Sequence, residues 1–217
     1  IVPITDLTIK DKSLIVATQG RSIWMIDDLS VLHQLPSSNK DPYLYKPKAT
    51  YRLKGSGGKS SLTMGTNKPN GVEVHFYIPS YNENSDIVEL SFHDEQGNEI
   101  KKFSTSDENN KLKIKEGGNL FVWDYKYPGA EKFDGMIMWS ASLNGAKAIP
   151  GKYQVRLSVN NFLSQSSFEI LKSPNSESSV NEMREQFNFV NQINKTISKA
   201  HQSIKKIRKT KLKLTEF

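Results

Sequence analysis

The chain has no cysteine among its 217 residues, which excludes disulfides, thiolate zinc sites and cysteine nucleophiles together. No apolar run approaches the roughly 18 residues needed to span a bilayer, so no transmembrane helix is expected. Histidine occurs four times, and neither a G-x-S-x-G elbow nor a His-rich motif is present. Catalysis has few residues to stand on. Acidic residues are outnumbered 23 to 30 by Lys and Arg, a net charge of +7, but the excess is local. Lys199, Lys205, Lys206, Arg208, Lys209, Lys211 and Lys213 follow one another without an intervening Asp or Glu, and setting those seven aside leaves the body neutral. A nucleic-acid-binding fold, with cations spread over a sheet or groove, is disfavoured. Hydrophobic residues make up 36% and aromatics 10%, enough for a packed core and too rich for a wholly disordered chain.

What is present reads as β structure followed by one helix. Leu7-Thr8-Ile9, Ser13 to Thr18 and Ser22 to Ile26 are short apolar runs separated by turn-sized polar segments, a pattern that predicts a three-stranded meander. Such a sheet is too small to be stable alone and is expected to dock on the rest of the chain, to exchange between chains, or to meet a part not in this sequence. Pro36 to Pro42 is polar and bracketed by prolines, which suits a linker. Beyond it the period is two: Val74, Phe76 and Ile78 alternate with polar neighbours, as do Val88, Leu90 and Phe92. Further strands are expected over Glu99 to Phe103, Asn119 to Tyr127, Lys152 to Val159 and Phe162 to Leu171, with Asn160-Asn161 as a hairpin turn. Seven or eight antiparallel strands in about 125 residues is the arithmetic of an immunoglobulin-like or fibronectin-like sandwich, two packed sheets rather than a closed barrel.

After Ser179 the period lengthens. Val180, Met183, Phe187, Val190, Ile193, Ile197, Ala200, Ile204 and Ile207 describe an amphipathic helix with coiled-coil-like spacing. Ser179 and Glu182 have the capping-box spacing, and the lysines at the far end suit the helix dipole. A helix running to about residue 209 would be roughly 45 Å long; it projects, breaks into a hairpin, or packs on a partner. The domain expectation is therefore a first unit at 1–35, a linker at 36–47, a sandwich at 48–172 and the helix at 173–217.

Candidate sites are few. Lys54-Gly-Ser-Gly-Gly-Lys-Ser60 imitates a phosphate loop, but Leu53 stands where that motif requires Gly and no helix pattern follows, so a flexible loop is the better reading. Asp27 and Asp28 are adjacent, and neighbours in a strand point to opposite faces, which unsuits them as an acid and nucleophile pair; Asp28 is better placed to cap a turn. His75 and His93 both fall on polar strand faces and could meet across a sheet, the one hint of a metal pair; exposed surface histidines are favoured. Trp24, Trp123 and Trp139, with Tyr125, Tyr127 and Tyr153, could stack on sugars, but Trp123 shares a face with Phe121, so core packing is favoured. The basic tail reads as a solvated helix end rather than a nucleic-acid or lipid contact. The sequon Asn194-Lys195-Thr196 falls on the helix and is discounted.

Ala17-Thr18-Gln19-Gly20-Arg21-Ser22-Ile23-Trp24-Met25-Ile26-Asp27-Asp28-Leu29 resembles the closing blade of the sortilin-like, BNR/Asp-box β-propeller proteins often grouped with glycosyl hydrolases. Gly118 to Ala130, Pro150 to Leu157 and Arg184 to Phe189 resemble the immunoglobulin-like (FlgD-like) domain and helical tail that follow the propeller in that group. The Asp-box itself, Ser-x-Asp-x-Gly-x-x-Trp, is absent, and no family catalytic residue has a matching position. The start, Ile1-Val2-Pro3-Ile4, has no initiator Met or charged leader and is the start expected inside a longer protein.

The resemblance implies a mainly β fold: a remnant of a last propeller blade, an immunoglobulin-like antiparallel β-sandwich and a long C-terminal helix. It implies a non-catalytic accessory module of a secreted, periplasmic or cell-surface protein, bracing its propeller or contacting carbohydrate or a surface protein. No cofactor, metal, nucleic acid or membrane span is implied. Two alternatives stand beside it: part of a glycoside hydrolase whose active site lies in blades outside this sequence, and a homodimer formed through Phe187, Val190, Ile197 and Ile204.

Overall fold

The computed structural model describes residues 2–36, 40–53, 69–137 and 142–215. The chain is mainly β, with three sheets and one long C-terminal helix.

The first sheet is a meander of β1 (Ile4–Lys10), β2 (Ser13–Thr18) and β3 (Ile23–Ile26), in that order. Its first hairpin closes on Asp11 and Lys12, both at positive φ, as a two-residue turn matched to strand twist demands. A single 3₁₀ turn, Leu32–Gln34, then leads to β4 (Tyr43–Leu44), which lies within the stretch expected to be a linker and pairs with β6 (Val72–Ile78). β6 pairs in turn with β9 (Gly117–Trp123), completing a second sheet.

The third sheet has the order β5-β11-β10-β7-β8. β7 (Val88–His93) and β8 (Glu99–Ser104) form one edge, and β10 (Gly151–Val159) and β11 (Phe162–Lys172) the middle. Asn160, at φ 50°, makes the expected β10–β11 hairpin turn. β5 (Thr50–Arg52) runs parallel to β11, so the strands are not all antiparallel, as the sequence had led us to expect. The strand expected over Asn119 to Tyr127 stops at Trp123, because Tyr125 adopts φ 60° and turns the chain out of extended backbone.

Sheets two and three turn their apolar faces to one core. Val72, Val74, Phe76 and Ile78 meet Val88, Leu90, Phe92, Val155, Leu157, Phe168 and Ile170 there. Trp123, fully buried, is at the centre: its ring stacks on Phe92 at 4.5 Å and meets Tyr153 and Phe168 edge-on at 6.1 and 6.3 Å. Each such ring removes a large apolar area from water, and offset or edge-on geometry adds to that gain.

The helix α1 runs unbroken from Val180 to Thr215, about 54 Å at 1.5 Å per residue. Its start is the expected capping box: the Ser179 amide donates to Glu182 Oε2 at 2.7 Å and the Glu182 amide to Ser179 Oγ at 3.2 Å. None of the described helices is long and apolar enough to cross a membrane.

Candidate interaction surfaces

Register in the meander determines which side chains share a face, since directly paired residues in an antiparallel sheet point the same way. Leu7 pairs Val16, which pairs Trp24; Ile9 pairs Leu14, which pairs Ile26. One face is thus six large apolar side chains. The other is mixed: Ile15, Ala17, Ile23 and Met25 share it with Asp6, Thr8, Lys10 and Ser13. Both faces are open. Leu7, Ile9, Ile23, Trp24, Met25 and Ile26 all remain at least half exposed, Trp24 at 62%, and β2 between them is half-buried. Among the described residues the expected docking of this sheet on the remainder of the chain is not made. Contact begins only after it: Leu29 is buried, Asp28 approaches Lys48 at 3.6 Å, and Gln34 accepts from the Lys46 amide at 2.7 Å.

An exposed contiguous apolar patch marks a contact surface, and the six-residue face is one, with a smaller patch of Ile15, Ile23 and Met25 behind it. The Trp24 indole N–H is spent on the Arg21 carbonyl at 2.9 Å, so the ring presents apolar surface rather than a free donor. Asp28 does cap: its Oδ1 accepts the Ser30 amide at 2.9 Å. The Asp27 carbonyl accepts the Ser13 hydroxyl at 2.9 Å.

The histidine pair does not form. His75 lies on β6 and His93 on β7, in different sheets. His93 is also not an exposed surface residue. The ladder shifts register between Phe92 and His93, which turns both inward, and His93 is 5% exposed. Its Nδ1–H donates to the Gly97 carbonyl at 3.2 Å, leaving Nε2 to accept from Ser91 Oγ at 2.9 Å. Both ring nitrogens are used in holding the β7–β8 turn. Among the described residues no group of three His, Asp or Glu is placed to hold a metal. Trp123, Tyr125 and Tyr153 are buried, in keeping with core packing rather than sugar stacking. Burial pushes the Tyr125 and Tyr127 phenols up to about 12 and that of Tyr153 higher still, because a phenolate is poorly solvated there. The Gly55–Gly58 loop and Trp139 lie outside the described residues.

The second surface is the helix. It lies on a platform made by the segments 125–130 and 143–148, which bond through Tyr127 to Ala146 at 2.9 Å and Ala130 to Leu143 at 3.0 Å. Their approach is so close that a Cβ on Gly129 or Gly145 would fall within 1.8 Å of a facing carbonyl oxygen. Phe187 meets Tyr127 edge-on at 4.7 Å, and Asn194 Nδ2 donates to the Asn144 carbonyl at 3.1 Å. Further along, Glu131 is a clasp: its amide donates to Ser198 Oγ at 2.9 Å, its carbonyl accepts from His201 Nδ1, and its carboxylate accepts from Lys205 and from Gln202. Those donors, Lys205 foremost, hold the Glu131 carboxyl below its ordinary range. Arg208 closes the run, donating to the Asp134 carbonyl at 2.7 Å with its guanidinium 4.8 Å from the Phe133 ring centre.

The inward stripe is therefore Val180, Met183, Phe187, Val190, Asn194, Ile197, His201 and Ile204, in alternating steps of three and four. Asn194 and His201 occupy the positions the sequence reading gave to Ile193 and Ala200, which face outward. Phe187, Val190, Ile197 and Ile204, the residues expected to pair two helices, are partly buried against the chain itself. Compared with protein-family models and with curated proteins, the sequence finds no match.

Proposed function

We propose that this chain is a non-catalytic interaction module: a remnant of a last propeller blade, an immunoglobulin-like sandwich and a bracing helix, serving a secreted or cell-surface protein of the sortilin-like BNR group. The observation that carries the reading is the meander with one wholly apolar open face and a second that exposes Ile23 and Met25. A propeller blade is a short antiparallel sheet held between neighbouring blades, and that environment asks for this pattern. The sandwich part is supported by strand order. One sheet joins β4, β6 and β9, the other joins β5 to the last two strands and to β7 and β8, which resembles the division of strands between the two sheets of an immunoglobulin-like domain.

In this role the sandwich carries no reaction; it is a rigid body on which the blade remnant and the helix are mounted. The ligand class is a protein layer, namely the adjoining blade, with carbohydrate or a surface protein as outer contacts. Of the two alternatives, a homodimer through Phe187, Val190, Ile197 and Ile204 would first have to displace the Tyr127 and Glu131 contacts, and nothing in the described residues favours a hydrolase site.

Hydroxyl-radical footprinting tests the reading. Leu7, Trp24, Met25 and Ile26 should be modified readily in the 217-residue chain and protected more than tenfold in a longer protein that includes the preceding blades. Equal modification in both would overturn it, as would turnover of aryl glycosides by the 217-residue chain.

A further inference from the structure

A cleft of about 800 Å³ opens between the first three turns of α1, the end of β5 and the segment 145–147. Its floor is apolar, made by Met183, Phe187 and Val190, and Arg52 and Lys147 stand in its wall. Both cations are half-buried. Among the described residues Arg52 donates through its Nε alone, to the Ala148 carbonyl at 2.8 Å. Lys147 donates to the Leu53 carbonyl and lies 5.3 Å from the centre of the Tyr125 ring.

Neither cation has a carboxylate within ion-pair distance among the described residues. Asp124 is paired with Lys126 at 3.3 Å. Glu182 also lines the cleft, but its carboxylate is committed to the Ser179 amide. The sequence nearby offers no substitute: residues 54–68 contain Lys54, Lys59 and Lys68 and no Asp or Glu. Burial, with the Arg52 charge and then Lys126, holds the Lys147 ammonium below the ordinary lysine range. Partly desolvated like charges side by side are costly unless an anion joins them, and a concave apolar site with a few convergent polar groups is the usual form of a ligand pocket.

We infer that this cleft binds an amphipathic carboxylate, its acid group between Arg52 and Lys147 and its apolar body on Met183, Phe187 and Val190. Planar bidentate pairing with the guanidinium and a point contact with the ammonium suit one carboxylate. The same chemistry can come from a free organic acid or from the C-terminal residue of a peptide. The site does not depend on the propeller reading, because none of its residues belongs to the meander.

The test is an amide-resolved NMR titration of the 217-residue chain with 4-phenylbutyrate and with N-acetyl-Leu-Phe free acid, each beside its carboxamide. Both acids should move the Ala146, Lys147 and Gln186 amides saturably, with each carboxamide at least tenfold weaker. A tighter peptide identifies a protein C-terminus as the source, a tighter phenylbutyrate a free acid. Lys147→Met should weaken both acids about tenfold, roughly 1.4 kcal/mol, while leaving Trp123 amide shifts unchanged. If that variant does not fold, Lys147→Arg must retain binding and Val190→Ser must lose part of it. Absence of any shift at millimolar acid, equal binding of acid and carboxamide, or undiminished binding in a folded Lys147→Met chain would overturn the inference.

Discussion

The meander of β1 to β3 and the paired sheets around Trp123 are built from the same kinds of residue, and they use them in opposite ways. In the other two sheets apolar side chains of β6, β7 and β10 are shut into one shared core: Val74, Phe76, Leu90 and Leu157 are all at or near zero exposure. In the meander one face is apolar throughout and the other in part, and among the described residues neither is covered. A single apolar face calls for one partner layer, which the chain supplies itself. The open apolar residues of the meander call for a further layer, which the described residues do not supply. The difference lies in how many neighbours each pattern requires, and it separates what stabilises this chain from what it offers to another.

The two regions differ most at their tryptophans. Trp123→Ala should cost about 3–5 kcal/mol through lost burial and a cavity, seen as a collapse of the denaturant midpoint or failure to fold. A loss under 1 kcal/mol would mean that the core is not centred on Trp123. Next in size is the helix platform. Gly145→Val forces a side chain onto the Tyr127 carbonyl and should destabilise the chain by about 1–3 kcal/mol, with proteolysis first appearing in α1. Unaltered protease resistance would show that the segments 125–130 and 143–148 do not hold the helix.

Alkali distinguishes the regions in another way. The phenols of Tyr125, Tyr127 and Tyr153 are raised by burial, so the folded chain keeps protons that the unfolded chain releases near pH 10. Their contribution is complete below pH 10, and stability should fall as the pH rises from about 10 to about 12. Ultraviolet titration should show these phenols ionising after the more exposed ones, together with loss of the core. Simultaneous ionisation of all eight tyrosines near pH 10 would contradict the buried cluster. Smallest of all, Trp24→Ser should change stability by no more than about 0.5 kcal/mol, since Trp24 touches little of its own chain; a loss of several kcal/mol would place the meander in the core.

Much of this division was legible in the residues. The three meander runs, the strict alternation in Val72 to Ile78, the Asn160 hairpin and the Ser179–Glu182 capping box are local patterns with local causes, and they fold as read. Three features were not legible for reasons that are also physical. His93 was read as polar and outward because alternation was extended through a position where the ladder shifts register, and a bulge has no signature in side-chain period. The parallel pairing of β5 with β11 joins residues more than a hundred positions apart. On the helix, hydrophobicity drew the stripe through Ile193 and Ala200, while strict alternation of three and four from Val180 leads to Asn194 and His201; two polar residues there bond to main-chain carbonyls of the platform, a use that hydropathy conceals. The cleft between Arg52 and Lys147 depends on the same long-range contacts, and no motif announced it.

Hydrogen exchange resolved to single amides separates the two regions, in the 217-residue chain at a concentration where light scattering reports a monomer. Amides of Ile15 and Val16 in the meander should exchange at least a hundredfold faster than those of Leu90 and Leu157, by local opening that leaves the core intact. Equal protection in the two regions, reporting one cooperative unit, would contradict that separation.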